Sequence, residues 1–192
     1  EEMELRGWKI HRSRGEDLVQ LARKRKEPWE IEAIRSVGER TEQVVDAVRE
    51  ALRASRIHDG AVRLEGRPLT LGLLKRLVSE QIARLGMIED HETILSQGRD
   101  AAIPHSRGDA SAVVRAAQPI VLDIFPADRG SGYFFDLTRT FCLGDIPDEL
   151  QAIHAHVLEA FSRAREAMRP GTPAQSYQAM VCDFFESKGY AT

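Results

Sequence analysis

The sequence predicts an α+β protein in which helices alternate with antiparallel strands. Three features carry that prediction. Two long segments place apolar residues at helical spacing, two neighbouring runs have the composition of strands that pair as a hairpin, and no strand–helix–strand rhythm of a parallel sheet occurs anywhere.

The elements follow in chain order. Residues 1–27 show no clear periodicity and read as a lead-in or linker from a possible upstream domain; their basic run at 22–26 reads as a solvated helix face. Pro28 suits the first turn of a helix, and Ile31, Ile34, Val37, Val44, Val45, Val48 and Leu52 then form one apolar stripe, predicting a helix over 28–54. Residues 55–69 read as a polar, glycine-containing loop. Thr70 can cap a second helix carrying Leu73, Leu74, Leu77, Val78, Ile82 and Leu85, with Gly86 as its stop. Residues 93–96 read as a short strand, 119–125 as a buried strand ended by Pro126, and 132–143 as its antiparallel partner. A third helix is expected over 147–168 with Leu150, Ile153, Val157, Phe161 and Ala164 inward, broken by Pro170-Gly171. Thr172 to Gln175 has the form of a capping box opening a fourth helix with Tyr177, Val181 and Phe184.

Bulk properties exclude several classes. A formal charge of −3 offers no electrostatic footprint for nucleic acid or an anionic membrane. No apolar run approaches the roughly 18 residues of a membrane span. Cys142 and Cys182 lack CxxC spacing, which argues against a zinc ribbon or a disulfide framework and suits a cytoplasmic protein. The chain starts without Met and stops just after a helical pattern, so both ends read as cut.

Asp123 interrupts the run Ile120-Val121-Leu122-Asp123-Ile124-Phe125. A carboxylate in a buried strand is costly unless something pairs with it. A hairpin turning at Asp128-Arg129-Gly130-Ser131 places Asp136 directly across from Asp123 on the same face, with Cα atoms about 4.5–5.5 Å apart. Two bare carboxylates so placed repel, and a divalent cation would turn them into a chelate. A one-residue shift of the hairpin would separate them, and Arg139 or a shared proton could bridge them instead.

Around Asp136 stands Gly132-Tyr133-Phe134-Phe135-Asp136-Leu137-Thr138-Arg139-Thr140-Phe141. With Ala101-Ala102-Ile103-Pro104-His105, the opening Pro28-Trp29-Glu30-Ile31, and Arg169-Pro170-Gly171-Thr172, the sequence resembles the pita-bread metallopeptidases. These are the Xaa-Pro aminopeptidases, prolidases, methionine aminopeptidases and creatinase, and the likeness is nearest the Xaa-Pro branch. The resemblance covers residues 20–190 and implies a pita-bread fold, mainly its first half, with helices packed on one face of an antiparallel sheet. Residues 28–192 would then be an incomplete catalytic domain.

By the same resemblance, Asp123 and Asp136 are the first two ligands of a site for two divalent ions. Mn²⁺ is favoured, with Co²⁺, Fe²⁺ or Zn²⁺ as alternatives. His105 is the substrate-side histidine, and Thr138 and Arg139 are supporting residues near the second carboxylate. The gap of 13 positions between the aspartates is longer than the family's, so the turn reads as lengthened. The family completes its site with a His and two Glu residues that this chain does not supply, and His154 and His156 point apart on their helix and cannot replace them.

The implied activity is release of the N-terminal residue from peptides of Xaa-Pro type by a hydroxide bridging the two ions, with the 192 residues inactive by themselves. The implied partners are a peptide substrate and a second copy of the chain as a homodimer. Two other readings stand beside it: a non-catalytic pita-bread module that binds peptides or proteins, and creatinase-like C–N hydrolysis.

Overall fold

In the computed structural model, residues 6–7 and 18–191 are described, so most of the lead-in over 1–27 lies outside the described residues. Helix α1, Leu18–Lys24, is its one described element and is exposed throughout. Helix α2 spans Pro28–Ala54, as the spacing predicts. Pro28 opens it, and Glu27 and Glu30 satisfy each other's backbone N–H groups in a reciprocal cap. Its stripe buries Val37, Val44, Val45, Val48 and Leu52, each worth about 1.5–3 kcal/mol when removed from water. Thr41 sits within that stripe because its hydroxyl donates to the Val37 carbonyl at 2.8 Å.

Residues 55–69 are not a loop. They form an antiparallel sheet of β1 (Arg56–His58), β2 (Ala61–Leu64) and β3 (Arg67–Pro68). Asp59-Gly60 and Glu65-Gly66 supply the two turns, all four residues with positive φ, as two-residue hairpins require. Strands of two to four residues are too short to show alternation, and the Asp-Gly dipeptide was the available signal.

Helix α3, Leu71–Arg84, begins where Thr70 accepts the Leu73 N–H and ends before Gly86, and it packs against α2. The principal sheet orders β5 (Ile94–Gln97), β6 (Ile120–Ile124) and β8 (Leu137–Phe141), all antiparallel, with β6 central. A smaller pair joins β4 (Met87–Ile88) to β7 (Ala127–Asp128). The core lies between α2, α3 and this sheet, and includes Leu95, Ile120, Leu122 and Ile124.

The hairpin register differs from the sequence expectation by two residues. Thr138, not Asp136, lies across from Asp123, and the regular strand begins only at Leu137. The turn spans Asp128 to Tyr133, closed by Gly132 N–H to Asp128 O and Asp128 N–H to Tyr133 O, both 2.8 Å. The Asp128 carboxylate dictates this by accepting from the N–H groups of Gly130 (3.1 Å) and Ser131 (2.6 Å), while its other oxygen pairs with Arg40 of α2 at 2.8 Å. Those backbone bonds, led by Ser131, and then Arg40 hold the carboxyl well below the usual carboxylate range.

Asp128→Ala should therefore cost about 2–3 kcal/mol at pH 7, read from urea midpoints. Because the folded-state pKa is depressed, this contribution is complete above the unfolded value of about 4 and fades as pH falls through the folded one. The gap between wild type and variant should narrow below about pH 4. An equal gap at pH 7 and pH 3 would contradict the assignment.

Helices α4 (Asp148–Ala167) and α5 (Ala174–Ser187) pack on each other near the end of the chain. The stripe expected inward on α4 is mostly outward: Val157 is 51% and Phe161 60% exposed, and Ala160 is the buried residue. Amphipathic spacing identified the apolar face, but among the described residues the main neighbour of α4 is α5, and Val157 and Phe161 stay exposed. The capping box at Thr172 does not form either; Pro173 is the N-cap and no side chain caps the helix. His156 packs on Phe184 and its Nδ1 lies 3.1 Å from the Tyr190 hydroxyl, a structural role.

Candidate active site

One face of the principal sheet builds the site. Alternation puts Ile94 of β5, Asp123 and Phe125 around β6, and Asp136 and Thr138 around β8 on the same side. A register change of two residues preserves that parity, so Asp136 moves from opposite Asp123 to its diagonal and stays on its face. Their interaction is direct. Burial raises the Asp136 carboxyl pKa, and the Asp123 charge and a hydrogen bond with Asp123 raise it further. Thr138 donates its hydroxyl to Asp123 Oδ1 at 2.8 Å and so orients that carboxylate.

The two aspartates open into a cavity of about 420 Å³ lined also by His91, Glu92, Ile94, His105, Arg107 and Phe125. His105 arrives on the loop after a short 3₁₀ helix, Gly98–Ala102, and adopts φ +61°, a left-handed conformation uncommon outside glycine. Local strain of this kind persists where surrounding structure enforces it, often at functional positions. The structure thus brings together four of the five residues singled out from sequence: His105, Asp123, Asp136 and Thr138.

Arg139 is the exception. Paired with Leu122, it occupies the opposite face, lines a separate cavity with Glu42, Asp46 and Arg49, and donates to the Thr138 carbonyl at 2.8 Å. It does not bridge the aspartates. His91, Glu92 and Arg107 are the polar cavity residues that sequence reasoning missed. His91 stacks at a tilt on Phe125, with ring centroids 5.5 Å apart, and no motif marks it.

Two adjacent carboxylates, with the proton affinity of Asp136 raised by burial and by Asp123, share a cavity with an imidazole and suit a divalent cation acting on a polar substrate. The class so defined is that of metal-dependent hydrolases. The chain belongs to metallopeptidase family M24, whose sequence profile matches residues 32–192. Among curated relatives, the probable dipeptidase PepE of Mycobacterium tuberculosis is 28% identical over 175 residues, covering 91% of this chain and 43% of the relative. The Xaa-Pro dipeptidase of Pyrococcus furiosus is 28% identical over 146 residues, covering 72% and 40%.

Among solved structures, X-Pro aminopeptidase from Thermotoga maritima superposes with TM-score 0.74 at 25% identity over 90% of this chain and 45% of that one. Prolidase from Pyrococcus furiosus gives 0.75 at 24% identity, over 90% and 47%. The fold is the pita-bread fold over its first half, and the chain spans less than half the length of these relatives.

Asp123 and Asp136 fit part of a metal-binding set. Among the described residues no group of three or more His, Cys, Asp or Glu side chains is arranged for one ion. No helix among them is long and apolar enough to cross a membrane.

Proposed function

We propose that this chain carries the first two metal ligands and the substrate-side histidine of a metallo-exopeptidase that releases the N-terminal residue from Xaa-Pro peptides. The observation that supports it most is the contact between Asp123 and Asp136 on one sheet face, opening into the cavity that also holds His105. Asp123 and Asp136 hold the divalent ions, with Mn²⁺ favoured by an oxygen-rich donor set. When bound, these ions supply Lewis acidity and a water acidified toward neutrality.

The chain's own residues do the rest of the work assigned to this half. Thr138 keeps Asp123 turned into the cavity through its 2.8 Å hydrogen bond. Burial and then Asp123 raise the proton affinity of Asp136, and both carboxylates must be ionised to act as ligands, so cation binding strengthens with pH. His105 donates a hydrogen bond toward the scissile carbonyl oxygen and steadies the charge that develops there. Residues 28–192 form the catalytic-domain portion, and 1–27 the lead-in.

The test is hydrolysis of Xaa-Pro dipeptides by the natural protein that contains this chain. Release of the N-terminal residue, abolished by EDTA and restored by Mn²⁺, is the expected result. The 192 residues by themselves should bind Mn²⁺ weakly and turn nothing over, because two carboxylates leave most of a dinuclear site unfilled. Turnover by them would overturn that part. Peptide binding without cleavage in the natural protein would assign the chain to a non-catalytic binding module instead.

A further inference from the structure

The two aspartates are held in different ways. Asp123 lies in the central strand, paired with Ile94 on one side and Thr138 on the other. Asp136 lies just before β8 begins at Leu137, outside that ladder. The segment leading to it makes an isolated bridge, Phe134 to Ala127. A metal ligand tolerates only about 0.5 Å of misplacement, so a residue outside the ladder needs another hold.

Helix α2 supplies one. The Tyr133 hydroxyl donates to Glu30 Oε1, 103 positions away, and the Tyr133 ring meets Trp29 edge-on with centroids 6.0 Å apart. The other Glu30 oxygen accepts the Glu27 N–H at 2.6 Å, so the carboxylate that receives Tyr133 is itself anchored at the start of the helix. Phe135 sits so close to Gly38 that a Cβ there would meet its Cε2 at 2.7 Å. Further along α2, Arg40 holds Asp128 at the other end of the turn.

Extended backbone turns successive side chains to opposite sides. Tyr133 and Phe135 reach α2, while Phe134 is exposed and Asp136 lines the cavity. Anchoring the first pair therefore sets where the second pair points. Apolar packing accounts for the ring of Tyr133 but not for its hydroxyl, which is aimed at a charged acceptor and makes a strong hydrogen bond.

We infer that Glu30, through Tyr133, is a positioning residue for Asp136: the start of α2 sets the distance between the two carboxylates and so the affinity of the site for a divalent ion. The inference rests on the metallopeptidase reading above. Glu30 does not line the cavity; it acts through the backbone of residues 133–136.

Mn²⁺ titration of the natural protein that contains this chain, read from the EPR signal of the free ion, tests this. The variants are Tyr133→Phe, which keeps the ring and removes the hydroxyl, Glu30→Ala, and the two combined. Val48→Ala, in the buried stripe of α2, is the control for lost stability. Tyr133→Phe should bind Mn²⁺ about tenfold more weakly than wild type. Adding it to Glu30→Ala should weaken binding no further, because both changes remove the same hydrogen bond. Val48→Ala should lower the urea midpoint and leave the affinity unchanged.

Wild-type affinity in Tyr133→Phe, losses that add in full in the double variant, or equal weakening by Val48→Ala would overturn the inference. If Glu30→Ala fails to fold, Tyr133→Phe against Val48→Ala still decides it. A wild type that takes up no Mn²⁺ overturns the metal site and this inference together. One that binds Mn²⁺ while Tyr133→Phe matches it overturns this inference alone.

Discussion

Gly108→Ala is expected to lower folding stability by about 2–4 kcal/mol. Gly108 has φ +66°, and a Cβ there would lie 2.5 Å from the Leu95 carbonyl oxygen and 3.1 Å from Ser96 Cα and Leu71 Cδ1. The left-handed conformation costs an L-residue about 1–2 kcal/mol, and forcing an atom against fixed backbone typically adds about 1–3 kcal/mol. The loss of unfolded-state freedom works in the opposite direction but is worth only about 0.4–1 kcal/mol. Strain therefore wins. Because the obstacle belongs to β5 at the sheet's edge, relief must come from the loop that carries His105 and Arg107. Urea midpoints of the two proteins give the measurement; an unchanged midpoint would mean that the loop tolerates displacement freely.

Asp136→Asn should have two opposite effects. The folded-state pKa of Asp136 is raised, so the stability it contributes is present below the unfolded value of about 4 and is lost as pH rises through the folded value. Above that folded value wild type carries the repulsion between Asp136 and Asp123, and the neutral amide removes it. In EDTA the variant should melt above wild type. With Mn²⁺ the order should reverse, since cation bound at a hundredfold excess over its Kd adds about 2.7 kcal/mol to wild type alone. The variant should bind the ion at least about tenfold more weakly. Asp123→Asn should lose the Mn²⁺ effect in the same way. Melting curves at pH 7 with and without Mn²⁺ measure both, and a variant that gains as much from Mn²⁺ as wild type would remove Asp136 from the ligand set.

These two predictions differ in how far they could be foreseen. That Asp123 needs a partner is legible from one polar residue in an apolar strand, and that Asp136 shares its face follows from a period of two. The wrong register did not spoil this, because an even shift leaves parity intact. The environment of Gly108 had no sequence signal, since the Leu95 carbonyl meets it only after β5 pairs with β6. The same holds for His91 and Arg107, which reach the cavity from loops on either side of β5.

Local chemistry decided what the sequence could specify unaided: the start of α2 at Pro28, the Thr70 cap and Gly86 stop of α3, and the alternation that turns both aspartates to one side. Each depends on residues within a few positions of one another. The tertiary structure decided the rest. Arg40, 88 positions away, grips Asp128 and helps hold the hairpin turn in place; the opposite face of β8 claims Arg139; and α4, though amphipathic, packs mainly on α5 among the described residues. Hydrogen bonds and burial between distant segments exist only once the chain has folded, so no window of sequence contains them.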